Sequence, residues 1–289
     1  MKCSYLACKS TIRNSKNRQY DAFEHDQTMD CLEQAFHANN SKIEENLWDD
    51  DTIDWSAFDA VIIGTCWDYA ERKKEFLEAL QRIDQKTHLF NSVPLIAWNS
   101  SKDYLRDLKD KGIPSIPTLW TSALKEEDLH EAFAQFATDT LACKRTVGAS
   151  AIGQFLVHRD EKAPPWKQES MLVQPYLESI TTEGEYSFIF VDGEFSHCLL
   201  KTAKPGDYRI QSVYGGKETP IMPQNLDLEA AKFVMSHLDV TPLYARVDMI
   251  RSNAGALLLM ELELVEPFLY PLQGENLGPM LYDAIKRRI

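Results

Sequence analysis

Apolar and polar positions in the first part of the chain switch between the strand and helix periods. Cys3–Ala7 is a short apolar run that predicts a strand, and Asp21–Asn39 sets Phe23, Met29, Leu32 and Phe36 at helical spacing on one face. Ile43–Trp48 predicts a second strand, leading into the acidic turn Asp49-Asp50-Asp51. Ala60-Val61-Ile62-Ile63 is apolar without interruption, the pattern of a buried parallel strand. Glu71–Ile83 follows as a helix with Phe76, Leu77, Leu80 and Ile83 inward. These alternating elements predict a small α/β domain over residues 1–95.

The style changes near Pro94. A helix is expected from about Ser101, stopped by Gly112 and Pro114. Ile116–Trp120 predicts a strand and Lys125–Ala137 an amphipathic helix. A further strand delivers Lys144 to a run of small residues from Gly148 to Gly153, with Ser150 between them. From Met171 the pattern is strand, turn, then a hairpin about Asp192-Gly193, a dipeptide suited to a tight turn. Lys201 precedes a glycine-containing loop with Lys204 and Arg209. Last comes a hairpin whose first strand carries Tyr244, Arg246 and Asp248 on one side. A polar turn at Arg251–Gly255 sends the chain back through Ala256–Val265, where Glu261 and Glu263 share one face and Leu262 and Leu264 the other.

Composition narrows the classes. A chain of 289 residues, 44% hydrophobic, can bury a sizeable core and divide into two or three subdomains. Its formal net charge of -13 argues against general nucleic-acid binding, because phosphate backbones attract basic surfaces. No apolar run is long enough to cross a bilayer, and the N-terminal run is too short for a signal peptide. Cys3, Cys8, Cys31, Cys66, Cys143 and Cys198 are scattered without zinc spacing, as expected of reduced thiols in a cytoplasmic protein.

In so acidic a chain, the places where cations gather carry information. Asp248, Glu261 and Glu263 on one hairpin face repel one another unless a cation lies between them. Hard oxygen ligands of this kind suit Mg²⁺ held jointly with nucleotide phosphates; a solvated acidic strand face is the plain alternative. Lys102, expected in the first turn of its helix, is placed to meet phosphate. Lys144 before a small-residue loop combines a point charge with backbone N–H groups that can close on phosphate oxygens, although the P-loop has the reverse order. Asp68, in T-C-W-D-Y at a strand's carboxyl end, has two open readings, ligand contact or helix cap. Cys66 as a nucleophile has no histidine partner suggested by the sequence, and His197, in the hairpin, is better read as a structural histidine than as a base.

The order of these motifs is what is recognisable. W-N-x-x-K, lysine before a small-residue loop, Q-P-Y-L, G-E before a hairpin, an arginine loop ending in Gly-Gly, and D…E-x-E-x-x-x-P together resemble the ATP-grasp superfamily. The likeness runs from about Asn99 to Pro267 and is strongest to bacterial glutathione-synthetase-like members similar to the O-ureido-serine cyclo-ligases of cycloserine biosynthesis. It implies an α/β (α+β) chain: an ATP-grasp fold preceded by a small Rossmann-like domain, with divisions at 1–95, 96–173 and 174–289. It also implies ATP and Mg²⁺ (Mn²⁺ the alternative metal), and roles for residues. Lys102, Lys144, Gly148, Ser150 and Gly153 would hold phosphates, Gln174, Pro175, Tyr176 and Leu177 the adenine, and Glu185 the ribose. Asp248, Glu261 and Glu263 would be metal ligands, while Lys201, Arg209 and Arg246 would neutralise the transferring phosphoryl group and the substrate carboxylate. Two departures stand out: Glu263 replaces a frequent asparagine, and Arg145 stands where proline is common. The implied reaction joins a small amino-acid-like carboxylate to an amine, between molecules or within one, through an acyl phosphate. A small-molecule kinase and a silent ATP-binding regulator are the rivals. No nucleic acid or membrane partner is expected, and a homodimer is the one assembly considered.

Overall fold

A computed structural model describes residues 1–148, 153–161, 168–204, 206–207 and 215–289. The N-terminal part contains β1 (Lys2–Ala7), α1 (Phe23–Ala38), β2 (Lys42–Leu47), β3 (Ala60–Ile63), α2 (Lys73–Asp84) and β4 (His88–Phe90). All four strands are parallel, in the order β2-β1-β3-β4, so each crossover leaves material on a sheet face. Residues 60–63 are wholly buried, as their uninterrupted apolar run requires. Phe23 differs from expectation: it starts α1 and is 41% exposed, while His25, Met29, Leu32 and Phe36 take the buried face.

The middle part comprises α3 (Val93–Asn99), α4 (Tyr104–Asp110), β5 (Leu119–Thr121), α5 (Glu126–Phe136), β6 (Thr140–Arg145), β7 (Phe155–His158) and β8 (Met171–Pro175). Its strands form an antiparallel sheet, β5-β8-β6-β7. Sequence patterning missed α3, because Pro94 reads as a break; proline lacks only an N–H that the first helical turn leaves unpaired anyway. The helix expected at Ser101 starts later, at Tyr104, so Lys102 sits in the turn ahead of it.

The last part holds α6 (Ser179–Thr182), β9 (Glu185–Val191), β10 (Glu194–Thr202), β11 (Lys217–Ile221), α7 (Asn225–Ser236), β12 (Tyr244–Arg251), β13 (Leu257–Glu263) and α8 (Leu277–Arg288). Here the antiparallel order is β11-β10-β9-β12-β13. The expected tight turn joins β9 to β10, with Asp192 at φ 54° and Gly193 at φ 81°, and Arg287 and Arg288 of α8 bind the Asp192 carboxylate. One core cluster crosses from the first sheet to the third: Met29, Leu32 and Phe36 of α1 share it with Ile189 and Val191 of β9 and Leu281 and Ile285 of α8. Helices α1 and α8 meet closely at Gly278, where a Cβ would lie 2.7 Å from the Cys31 carbonyl oxygen.

Two buried asparagines tie the final hairpin to its neighbours. The Asn91 Nδ2 donates to the carbonyls of Tyr244 and Leu264, and its Oδ1 accepts from the Leu243 N–H. At Asn99, in α3, Nδ2 donates to the Leu262 carbonyl at 2.8 Å while Oδ1 accepts the Leu264 N–H at 2.9 Å. Those bonds bracket Glu263, so Asn99 sets where β13 lies. Asn99→Ala orphans two buried backbone groups and should lower the unfolding free energy by about 2–4 kcal/mol in a urea titration. A loss under about 0.5 kcal/mol would mean that β13 is positioned by its sheet partners alone.

Candidate active site

The β12–β13 hairpin forms one wall of a cavity of about 250 Å³ between the last two sheets, with the N-terminal domain closing one side. Glu261, Glu263, Asp248 and Arg246 all line it. Register pairs Asp248 with Glu261 and Arg246 with Glu263 across the ladder, which brings the expected carboxylates to one face. A register shift after Asp248 re-aims the rest of β12, and all but its last residue are buried.

The cation between the carboxylates belongs to the protein. The Arg246 Nε donates to both oxygens of Asp248, at 3.1 and 3.0 Å, its Nη2 binds Glu263, and its Nη1 donates to the Phe268 carbonyl at 3.1 Å. Asp248 also accepts from the Ser187 hydroxyl. Burial raises the Asp248 carboxyl, but Arg246 and Lys201 outweigh it and hold the group below the usual range. Lys201 is buried too, and its Nζ lies 2.5 Å from Glu185 and 3.5 Å from Asp248. Burial disfavours its charge, yet Asp248 and Glu185 keep the ammonium strongly protonated.

Glu261 faces the opposite wall. Its Oε1 is 3.6 Å from the Lys102 Nζ and 3.8 Å from the Lys144 Nζ. Burial raises this carboxyl and the two lysines more than reverse the effect. Lys102 additionally donates to the Gly148 carbonyl at 2.8 Å, fastening the start of the small-residue loop. Lys144 projects from β6 and Lys102 from the turn before α4, so two separate elements converge on one carboxylate. Gly153, at the loop's far end, has φ 76° and packs so closely on Arg145 that a Cβ would sit 2.5 Å from the arginine Cδ. Arg145 in turn is paired to Glu169 at 2.8 Å. Ser150 and Arg209 lie outside the described residues.

The floor runs along β8. Gln174, Pro175, Tyr176 and Leu177 line the cavity. The Gln174 amide donates to the Thr118 hydroxyl at 3.0 Å, and the Tyr176 N–H donates to the Thr140 carbonyl at 2.9 Å. Glu185 reaches the same space from β9, though its carboxylate is turned to Lys201.

Asp68 departs from both readings of it, whereas Cys66 and His197 are structural residues, as their sequence context suggests. Asp68 neither lines the cavity nor caps a helix: its carboxylate accepts from the Trp48 indole at 2.8 Å and from Arg72 at 3.2 Å. Its neighbours Trp67 and Tyr69 line the cavity instead. Cys66 is buried with its thiol pushed up by desolvation, which removes the thiolate a nucleophile needs. His197 is away from the cavity, packed on Gly274, and burial lowers it to about 4. Sequence patterning overlooked Asp21, Glu24, Glu266 and Tyr270, which also line the cavity. The one signal for any of them was the E-x-x-E-P spacing that sets Glu266 three residues after Glu263.

Among the described residues, no three carboxylates, histidines or cysteines come together as a closed metal cage. The carboxylates are paired with the protein's own cations: Arg246 with Asp248 and Glu263, and Lys102 and Lys144 with Glu261. The donors still fit Mg²⁺, which needs only one or two carboxylates when phosphates complete its shell. They are all oxygens, and Glu263 among them remains under-neutralised: burial together with Asp248 and Glu261 keeps its carboxyl raised despite Arg246. No described helix is long and apolar enough to cross a membrane.

Comparison with known proteins places the fold and the family. Residues 5–91 match the family described as D-cycloserine synthetase DcsG, N-terminal domain. The cycloserine biosynthesis protein DcsG of Streptomyces lavendulae is 30% identical over 262 residues, covering 84% of this chain and 87% of that protein. A crystal structure of D-cycloserine synthetase DcsG superposes with a TM-score of 0.84 at 23% identity, over 100% of this chain and 99% of that one. D-alanine–D-alanine ligase from Bacillus anthracis shares the fold at a TM-score of 0.69 and 14% identity, over 99% and 96% of the two chains. The chain belongs to the DcsG family of ATP-grasp ligases, ATP-dependent enzymes that form carbon–nitrogen bonds.

Proposed function

We propose that this enzyme activates the carboxylate of a small amino-acid-like substrate as an acyl phosphate, which a nitrogen nucleophile then captures. The observation that carries the reading is the convergence of Lys102, Lys144, Lys201 and Arg246 on the carboxylates of one hairpin inside one cavity. A cavity with four ordered cations in so acidic a chain is built for a polyanion.

Lys102 and Lys144 are assigned to the phosphates of ATP, exchanging Glu261 for phosphate oxygens, and Gly148, Ser150 and Gly153 are assigned with them. Gln174–Leu177 holds the adenine and Glu185 the ribose. Asp248, Glu261 and Glu263 would hold Mg²⁺, whose chemistry there is to neutralise charge on the phosphates. Arg246 and Lys201 orient the substrate carboxylate, one oxygen of which attacks the γ-phosphorus as ADP leaves. Arg209 is assigned to the transferring phosphoryl group. The nitrogen then attacks the acyl carbon, its lone pair forms the C–N bond, and inorganic phosphate departs with the bonding pair while the proton shed by the nitrogen passes to that phosphate or to water. The three-part division at 1–95, 96–173 and 174–289 belongs to the same proposal, with the first part on the substrate side.

The test is an ADP- and phosphate-release screen with Mg²⁺-ATP against amino acids, singly and in pairs, with O-ureido-serine included. Amino-acid-dependent release of both ADP and free phosphate is the expected result. A stable phosphorylated product without free phosphate would make the enzyme a kinase, and no turnover with any substrate would count against catalysis. Lys144→Met tests the nucleotide assignment separately. It keeps the apolar stem and removes the charge, so ATP affinity should drop about tenfold to a hundredfold while adenosine binding barely changes. Equal losses for both ligands in titration calorimetry would show that Lys144 supports the fold or the adenine pocket.

A further inference from the structure

Helix α6 has four residues, too few to hold a helical shape unaided, yet Leu177 before it, Ile180 within it and Glu185 after it all line the cavity. Both of its ends are tied to Arg251, the last residue of β12, which does not itself line the cavity. At the start of α6 the Ser179 hydroxyl donates to the Arg251 carbonyl at 2.6 Å. Just past its end the Arg251 Nε donates to the Glu183 carboxylate at 2.7 Å. The rest of the guanidinium is also taken up. Its Nη1 donates to Asp227 at 3.1 Å and to the Gly255 carbonyl at 3.0 Å, and its Nη2 donates to Asp227 at 2.9 Å and to the Tyr186 hydroxyl at 3.1 Å. Every guanidinium N–H thus has an acceptor, and the acceptors come from α6's end, β9, α7 and the β12–β13 turn.

The hub is rigid. Asp227 is buried and meets the guanidinium through two parallel bonds, a geometry that a lysine could not reproduce. The Tyr186 hydroxyl donates to Glu183, and the guanidinium carbon lies 5.1 Å from the centroid of the Tyr186 ring. Between Glu183 and Glu185 the chain turns at Gly184, at φ 119°, where a Cβ would lie 2.4 Å from the Lys201 carbonyl oxygen. So close a turn passes any shift of Glu183 on to Glu185. A binding segment held in place before its ligand arrives gains affinity, because binding no longer has to order it.

We propose that Arg251 is a positioning residue for the nucleoside half of ATP: from outside the cavity it holds α6 and the start of β9 at the spacing from β8 that a purine and its ribose fill. The proposal rests on the assignment of the base to Gln174–Leu177 and the ribose to Glu185. It has a chemical consequence. Arg251 acts on the base and sugar through Leu177, Ile180 and Glu185, so the phosphates, which Lys102 and Lys144 hold from the opposite wall, do not depend on it.

The experiment measures three probes by titration calorimetry with Mg²⁺: a non-hydrolysable ATP analogue, adenosine, and inorganic tripolyphosphate, which carries the phosphates alone. In Arg251→Met, affinity for the analogue and for adenosine should fall together by about tenfold, while tripolyphosphate stays within about twofold of wild type. In turnover KM for ATP should rise with kcat at saturating ATP held within about twofold. Arg288→Met removes the bonds to Asp192 on the far side of the last sheet and is the control for lost stability; it should leave adenosine affinity unchanged. Ser179→Ala cuts the tie at the start of α6 and spares the guanidinium, so it carries the test if Arg251→Met does not fold; adenosine affinity should then fall about threefold. Unchanged adenosine affinity in the folded variant, an equal loss for tripolyphosphate, or an equal loss in Arg288→Met would each overturn the proposal. Leu177→Asp separates this from the base assignment itself. If Leu177→Asp abolishes adenosine binding and Arg251→Met does not weaken it, only the positioning role falls; if Leu177→Asp leaves adenosine bound as in wild type, the base assignment falls, and the proposal with it.

Discussion

Glu261→Gln is expected to cut ADP release at saturating ATP by roughly a hundredfold, about 3 kcal/mol of transition-state stabilisation, with the fold unchanged. Glutamine keeps the shape of a side chain that is already hydrogen-bond competent at the end of β13. What it loses is the charge that Lys102 and Lys144 face at 3.6 and 3.8 Å. In the proposed mechanism that charge has two uses, balancing the lysines before ATP arrives and serving as an oxygen ligand afterwards. The two uses separate in binding. Without divalent metal, ATP should bind the variant at least as tightly as wild type, because the lysines no longer face an internal competitor. With Mg²⁺ or Mn²⁺ present, the gain in ATP affinity that the metal brings should shrink. Titration calorimetry with and without metal, beside the ADP assay, checks both. Near-normal ADP production by folded Glu261→Gln would remove Glu261 from the metal site.

The other large effect is expected at Arg246. Arg246→Met retains an apolar stem of similar length but leaves Asp248 without the guanidinium N–H that both its oxygens accept, and Glu263 and the Phe268 carbonyl without a donor. Breaking a buried ion pair from one side strands the opposite charge, which costs about 3–5 kcal/mol. Urea unfolding should show a loss of that size, and ADP release should vanish with it. Removing part of the stranded charge should help: adding Glu263→Gln should recover about 1–2 kcal/mol of stability without restoring turnover. A single variant that loses less than about 1 kcal/mol would show that Lys201 and Ser187 suffice to hold Asp248. The Arg246 network would then serve the substrate alone.

These two sites bear on an unusual feature of the chain, a glutamate at 263 where asparagine is frequent in the family it resembles. The structure shows what the extra charge meets: Glu263 pairs with Arg246 across the ladder. An asparagine there could accept one hydrogen bond from the guanidinium but would leave its charge to Asp248 alone.

Much of this protein was legible in the sequence. Strand and helix periods located the parallel sheet, the Asp192-Gly193 turn and the alternation that sets Glu261 and Glu263 opposite Leu262 and Leu264, because those features depend on neighbours within a few residues. Motif order brought Lys102, Lys144, Gln174–Leu177 and Asp248 into one family pattern. Tertiary structure decided what each charge meets. That Arg246, two positions from Asp248 on the same strand, closes on it and on Glu263 follows from sheet register and burial, not from spacing alone. Asp68 was drawn away by Trp48 and Arg72, which approach from other elements. Asp21 and Glu24 are set apart by no sequence pattern, and Glu266 only by its spacing from Glu263. They share one cavity only because α1 packs against α8 and β9, bringing residues some 240 positions apart to the same wall. Local periodicity carries no information about such encounters, since the contacts that create them are made by other parts of the chain.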